Sequence, residues 1–142
     1  MVDFILIIMD VSIHILTQEQ ILENLVIYQV QLDEKMIDEP NQIIEQLMVA
    51  ESVMVNSRKL LADAKYWLNE TMQSETIATL KQLAKSDKLI TTTAVNQIIK
   101  SLCKQQQYLV DWSERINRSA THRADYCRSI MSKHKAEMYN RI

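Results

Sequence analysis

Glycine is absent from this chain of 142 residues, and proline occurs once, at Pro40. Ordinary usage would supply glycine at roughly 7% of positions. Glycine gives positive φ, tight turns and close backbone approach to ligands. Its absence argues against phosphate-cradling loops, nucleophile elbows and nest-type anion holes. Helices joined by Asn, Asp and Ser loops remain open to such a chain. Aromatic residues are also sparse, at 6%, although apolar residues reach 47%. The core therefore has to be built from Ile, Leu, Val, Met and Ala, which suits helix packing.

Cysteine is scarce as well, with Cys103 and Cys127 alone. If both lie on one helix they stand about 36 Å apart, far beyond disulfide reach. Reduced thiols and a cytoplasmic setting are the expectation. Long hydrophobic runs are missing too. The unbroken apolar stretch Phe4–Met9 falls well short of the roughly 20 residues that span a bilayer. The stretch Met1–Leu16 carries Asp3 and Asp10 and lacks a basic leader, so it does not read as a secretory signal or as a membrane segment.

What is present is an uneven charge distribution. Residues 1–57 hold ten acids and the single base Lys35, a net −9. Residues 58–142 hold fifteen Lys and Arg against eight acids, a net +7. Either the basic half presents a surface to a polyanion or an acidic partner, or the two halves pack together and neutralise each other.

Residues 1–16 form an apolar arm. Ile5, Ile7, Met9, Val11, Ile13 and Ile15 alternate with other residues, which is strand periodicity in β-branched side chains. One strand cannot stand alone, so the arm is expected to pair with another molecule, to dock extended, or to be drawn into a helix. Residues 17–142 read as a single helical domain. Thr17-Gln18-Glu19-Gln20 has capping-box form, and Ile21, Leu22, Leu25, Tyr28, Leu32 and Met36 follow at helical spacing. Asp38-Glu39-Pro40 ends that helix, and Pro40 suits the first turn of the next.

The second helix is expected to run to about Thr71. Its seam interleaves a large series (Leu47, Met54, Leu61, Leu68) with a small one (Ala50, Ser57, Ala64), each repeating every seventh residue. Small residues at that interval let a partner helix approach closely while the large ones interlock around them. A short helix capped by Ser74 is expected next, with Ile77, Leu80, Leu83 and Ala84 inward, followed by a turn at Ser86-Asp87-Lys88. Thr91-Thr92-Thr93 then caps a last helix, unbroken from Ala94 to Tyr139. Its large series is Leu102, Leu109, Ile116 and Ile130, interrupted by Arg123; its small series is Ser113, Ala120 and Cys127. The two matched seams predict an all-α fold, a long antiparallel coiled-coil hairpin within a three- to four-helix bundle. The last helix is expected to outrun its partner by about 20 Å.

Chemistry-bearing constellations are hard to find. Di-iron or di-manganese sites in bundles need Glu-x-x-His pairs on facing helices, and Val11, Ser119 and Met131 stand three residues before His14, His122 and His134. His122, Cys127 and His134 do not converge on a zinc geometry. Neither cysteine is marked as an activated nucleophile. No catalytic residue, metal ligand or cofactor is therefore expected, and the protein reads as a non-enzyme.

The strongest candidate surface is the basic stripe on the last helix. Lys104, Tyr108, Trp112, Arg115, Arg118, His122, Arg128 and Lys133 are the expected partner-binding residues. Arginine forks and lysine ammoniums suit phosphates or an acidic protein face. Asp111, Glu114, Asp125 and Glu137 interrupt the stripe, which favours a protein partner over nucleic acid. Trp67 reads either as a core anchor or as an exposed interface residue. A homo-oligomer is expected, with nucleic acid as the alternative partner.

Glu114-Arg115-Ile116-Asn117-Arg118, Thr121-His122, Arg128-Ser129-Ile130 and Lys135-Ala136-Glu137-Met138 form a recurring pattern over residues 90–138. That pattern resembles small helical accessory proteins from the early or recombination regions of bacteriophages and related mobile elements. The resemblance implies an accessory protein of the host cytosol, acting on replication or recombination machinery or on a host defence complex. It brings no catalytic residue with it, and residues 1–16 have no counterpart in it.

Overall fold

The computed structural model describes residues 14–86 and 89–141. Residues 1–13 of the arm, and Asp87 and Lys88 of the expected turn, lie outside the described residues. The described residues form four helices in order: α1 Gln18–Asp33, α2 Pro40–Lys85, α3 Thr92–Leu102 and α4 Lys104–Asn140. The fold is all-α.

Local chemistry accounts for the helix ends. The Thr17 hydroxyl accepts the Gln20 N–H (3.2 Å), and the Gln20 side chain accepts the Thr17 N–H (3.0 Å), closing the capping box of α1. Pro40 opens α2, where the Glu39 carboxylate accepts the N–H groups of Asn41 and Gln42. Thr91 caps α3 through the Ala94 N–H.

Several sequence expectations need correction. The second helix does not stop near Thr71, and Ser74 caps nothing: α2 is one helix of 46 residues, through to Lys85. A serine inside a helix costs only about 0.5 kcal/mol, and no glycine or proline follows to break the ladder. Nor are Ile77, Leu80 and Ala84 inward. They are exposed, Leu83 is half-buried, and Thr79 is the buried residue of that stretch.

The last helix, in turn, is not continuous. It breaks at Cys103 (φ −103°, ψ 13°), whose N–H is shared between the carbonyls of Ile99 and Lys100. The relative lengths are thereby reversed, because α4 has 37 residues against 46 in α2. Leu102, just before the break, is half exposed rather than part of the seam.

The hairpin itself forms as its seams require. Helix α2 packs along α4, and the pairs Glu51–Arg128 and Ser57–Asn117 show that the two run antiparallel. All six small-series residues, Ala50, Ser57, Ala64, Ser113, Ala120 and Cys127, are fully buried at 0% exposure. The two serines remain satisfied within their own helices: Ser113 donates to the Leu109 carbonyl at 2.7 Å and Ser57 to that of Met54 at 3.2 Å. Asn117 adds a polar tie across the seam, donating to the Met54 carbonyl (2.8 Å) and the Ser57 hydroxyl (2.9 Å).

Helix α1 completes a three-helix core, contributing Ile21 and Leu25 to a cluster with Val53, Leu60, Ala64, Leu109, Val110, Ile116 and Ala120. It runs parallel to α4, since Gln18 bonds to Gln106, Gln29 to Trp112 and Leu32 to Arg123 in ascending order. Helix α3 packs back on α2.

Candidate interaction face

The basic residues of α4 have separate fates. The Arg123 guanidinium, which interrupts the large series, donates to the Leu32 carbonyl in the last turn of α1. A cation there satisfies an orphan carbonyl and the negative end of the helix. Arg128 bonds to Glu51 at 2.8 Å and to Asp125 at 3.0 Å. His134 Nε2 lies 2.7 Å from Asp38 in the α1–α2 connection. Part of the charge asymmetry is thus consumed inside the fold, where the basic C-terminal half ties down the acidic N-terminal half.

The other candidate residues divide between two grooves. Lys104 and Tyr108 line a cleft of about 520 Å³ between the start of α4 and the start of α1, with Gln18, Glu19, Leu22, Gln105 and Leu109. Tyr108 also lines a second cleft of about 340 Å³ with Trp112, Arg115, Asp111 and Gln29. The two clefts therefore meet at Tyr108 along the α1/α4 groove. Arg118 and His122 belong instead to a cleft on the α2 side, with Leu61, Glu114, Asn117 and Thr121. Arg128 pairs with α2, and Lys133 is exposed farther along α4.

The α1/α4 groove has a distinct character. Tyr108 is 61% exposed, and its ring lies 5.8 Å from that of Trp112. The Trp112 indole N–H is fixed on the Gln29 side-chain oxygen (3.0 Å), and Gln29 in turn donates to Asp33 (2.9 Å). On α1, Leu22, Val26 and Val30 are large apolar residues left half exposed at four-residue spacing. That spacing puts them on one ridge of the helix. Leu22 belongs to the helically spaced apolar series of the sequence but is exposed here, and Val26 and Val30 lie outside that series. The signal for the ridge was present: α1 carries aliphatic residues on every side, a pattern expected of a helix covered all round.

A second feature went unread. Lys59, Asp63 and Trp67, spaced four apart on α2, hold the chain that leads into α1. Lys59 donates to the His14 carbonyl (2.8 Å) and pairs with Asp63, which is 4% exposed. Asp63 accepts the Leu16 N–H (3.2 Å), and the Trp67 indole N–H donates to the Leu16 carbonyl (2.7 Å). Trp67 is therefore an anchor of this strap, stacked edge-on with Tyr66.

Among the described residues no group of three or more His, Cys, Asp or Glu side chains converges to hold a metal ion. No helix among them is long and apolar enough to cross a membrane. Both thiols are buried. Burial, and then the nearby Glu75 carboxylate, pushes the Cys103 thiol up from its ordinary value. Burial likewise pushes Cys127 up, against the opposing pull of Arg123 and Arg128.

Neutral, inaccessible thiols should resist labelling by a soluble thiol reagent until the protein unfolds. The sign for stability follows from the same shift. With the folded pKa raised, the unfolded thiols ionise first, so this contribution is complete below the ordinary value and is lost as pH rises through the folded one. Urea titrations at pH about 7.5 and about 10 should show lower stability at the higher pH, and Cys127→Ala should reduce the difference.

Comparison of the chain with family models, curated proteins and solved structures finds no match in any of the three.

Proposed function

We propose that this chain is a non-enzymatic helical interaction protein that engages a protein partner through the α1/α4 groove. The observation that carries this reading is the pair of clefts meeting at Tyr108. Tyrosine, tryptophan and arginine dominate the energetics of protein interfaces, and Tyr108, Trp112 and Arg115 stand together here. Beside the clefts, Leu22, Val26 and Val30 leave exposed apolar side chains together on one ridge of α1, and apolar surface gathered in one patch marks a docking surface more strongly than the same residues scattered singly.

Nucleic acid is the alternative partner, favoured by the exposed bases Lys104, Arg115, Arg118 and Lys133 along α4. It is the weaker reading for two reasons. Arg123 and Arg128 are spent on internal contacts. Asp111, Glu114 and Asp125 are interleaved with the exposed bases, and a phosphate-tracking surface gains its affinity from uninterrupted positive charge. The phage-type resemblance of residues 90–138 adds the expectation of a partner in the host cytosol.

A photo-crosslinking residue in place of Tyr108 tests the reading, with the same probe at exposed Asn69 as control. A protein adduct at 108 that survives nuclease treatment and is absent at 69 is the expected result. An adduct removed by nuclease would overturn it in favour of nucleic acid. Binding to nucleic acid should then fall steeply with salt and fall further in Arg115→Ala/Arg118→Ala.

A further inference from the structure

We infer that the occupant of the α1/α4 groove is a second copy of this chain, set against the first by a twofold axis parallel to α1 and α4. The inference rests on the interaction reading above and names the partner for the same face. It starts from the placement of charge at the two ends of the groove. At one end, Glu19 on α1 and Lys104 on α4 line the same cleft. At the other, Asp33 on α1 is held by Gln29, which lines the second cleft together with Arg115 of α4. The α1 rim thus ends in an acid at both ends and the α4 rim in a base at both. Among the described residues none of these four side chains forms an ion pair. Asp111 departs from the pattern on the α4 side, and its carboxylate accepts from Gln107 at 2.9 Å.

Symmetry then selects the arrangement. An isologous dimer sets the same patch of each copy against itself. Because α1 and α4 run parallel, a twofold axis along them brings α1 of one copy over α4 of the other. Each acidic rim then faces a basic rim, with Glu19 of one copy set toward Lys104 of the other at the first cleft. The apolar ridge of Leu22, Val26 and Val30 lies over the aromatic side of α4, at Tyr108 and Trp112. A twofold axis across the helices would set α1 on α1, acid facing acid, and like-charge contact of that kind works against association. The charge layout is therefore complementary to itself in one orientation.

Light scattering and sedimentation of the full chain over a concentration series test this. The wild type should associate to a dimer that weakens as salt is raised. Val26→Asp should dissociate it while leaving helix content unchanged, and its unfolding midpoint should match that of the wild type only at concentrations low enough for the wild type to be monomeric. Lys104→Glu alone should weaken the dimer by about tenfold, Glu19→Lys alone similarly, and the double reversal should restore it. A wild-type monomer at high micromolar concentration would overturn the inference, as would a dimer indifferent to Val26→Asp and to the charge reversals. The two failures separate cleanly. A monomer whose residue-108 crosslinker captures a different protein sinks self-pairing alone, whereas a monomer with no protein adduct sinks the interaction reading as well.

Discussion

Leu25→Ala is expected to destabilise the protein by about 2–5 kcal/mol, while Val26→Ala, one residue along, should stay within about 0.5 kcal/mol. Both are aliphatic residues on α1, and no difference in helix propensity separates them on this scale. The distinction is burial. Leu25 is fully excluded from solvent within the three-helix core, whereas Val26 is 47% exposed on the outer ridge. Truncating Leu25 removes apolar area and leaves a cavity among side chains contributed by α2 and α4, which cannot both collapse onto it. Urea unfolding followed by circular dichroism measures both variants. Two equally small effects would mean that α1 is not integral to the core. The pair also divides stability from function, because Val26→Ala should weaken whatever occupies the groove while sparing the fold.

How much of this was legible in the sequence depended on whether each signal was local. Thr17 and Gln20 sit three apart, and their capping box needs nothing else in the molecule, so it could be read directly. The small series Ala50, Ser57, Ala64 and Ser113, Ala120, Cys127 was readable because the seven-residue interval is itself the condition for close approach. The break at Cys103 was not. It has no glycine or proline behind it, and the residues on either side are acceptable helix formers. The continuity of α2 through Ser74 failed for the opposite reason, since a residue that could cap a helix was not asked to.

The interaction face was half legible. Tyr108, Trp112 and Arg115 stand out by type and spacing on α4. The ridge Leu22, Val26 and Val30 does not, because a helix that is aliphatic on all sides does not announce which side faces the core. Arg123 is instructive in the same way. In sequence it interrupts a hydrophobic series, and only the parallel course of α1 shows that it answers a free carbonyl at Leu32.

Enlarging the small series tests whether the hairpin depends on close approach. Ala120→Leu is expected to cost about 1–3 kcal/mol, against a change within about 0.5 kcal/mol for Ala78→Leu on the exposed surface of α2. Alanine and leucine have nearly equal helix propensity, so the helix as such is indifferent to the exchange. Leucine would even contribute more buried apolar area if room existed. At position 120 none is expected: the residue is fully buried in the same core cluster as Val53 and Ala64 of the facing helix. The added methylenes must therefore drive side chains off their rotamers or push α4 away from α2. Displacement has a further consequence. Helix α4 carries Tyr108 and Trp112, and Trp112 is positioned against Gln29 of α1 by a single indole hydrogen bond. A shift of α4 should loosen that bond, so Trp112 fluorescence, isolated in a Trp67→Phe background, should report it along with the loss of stability. A stabilised Ala120→Leu protein with unchanged Trp112 emission would show that the seam holds empty space and that its small residues are not what sets the helix spacing.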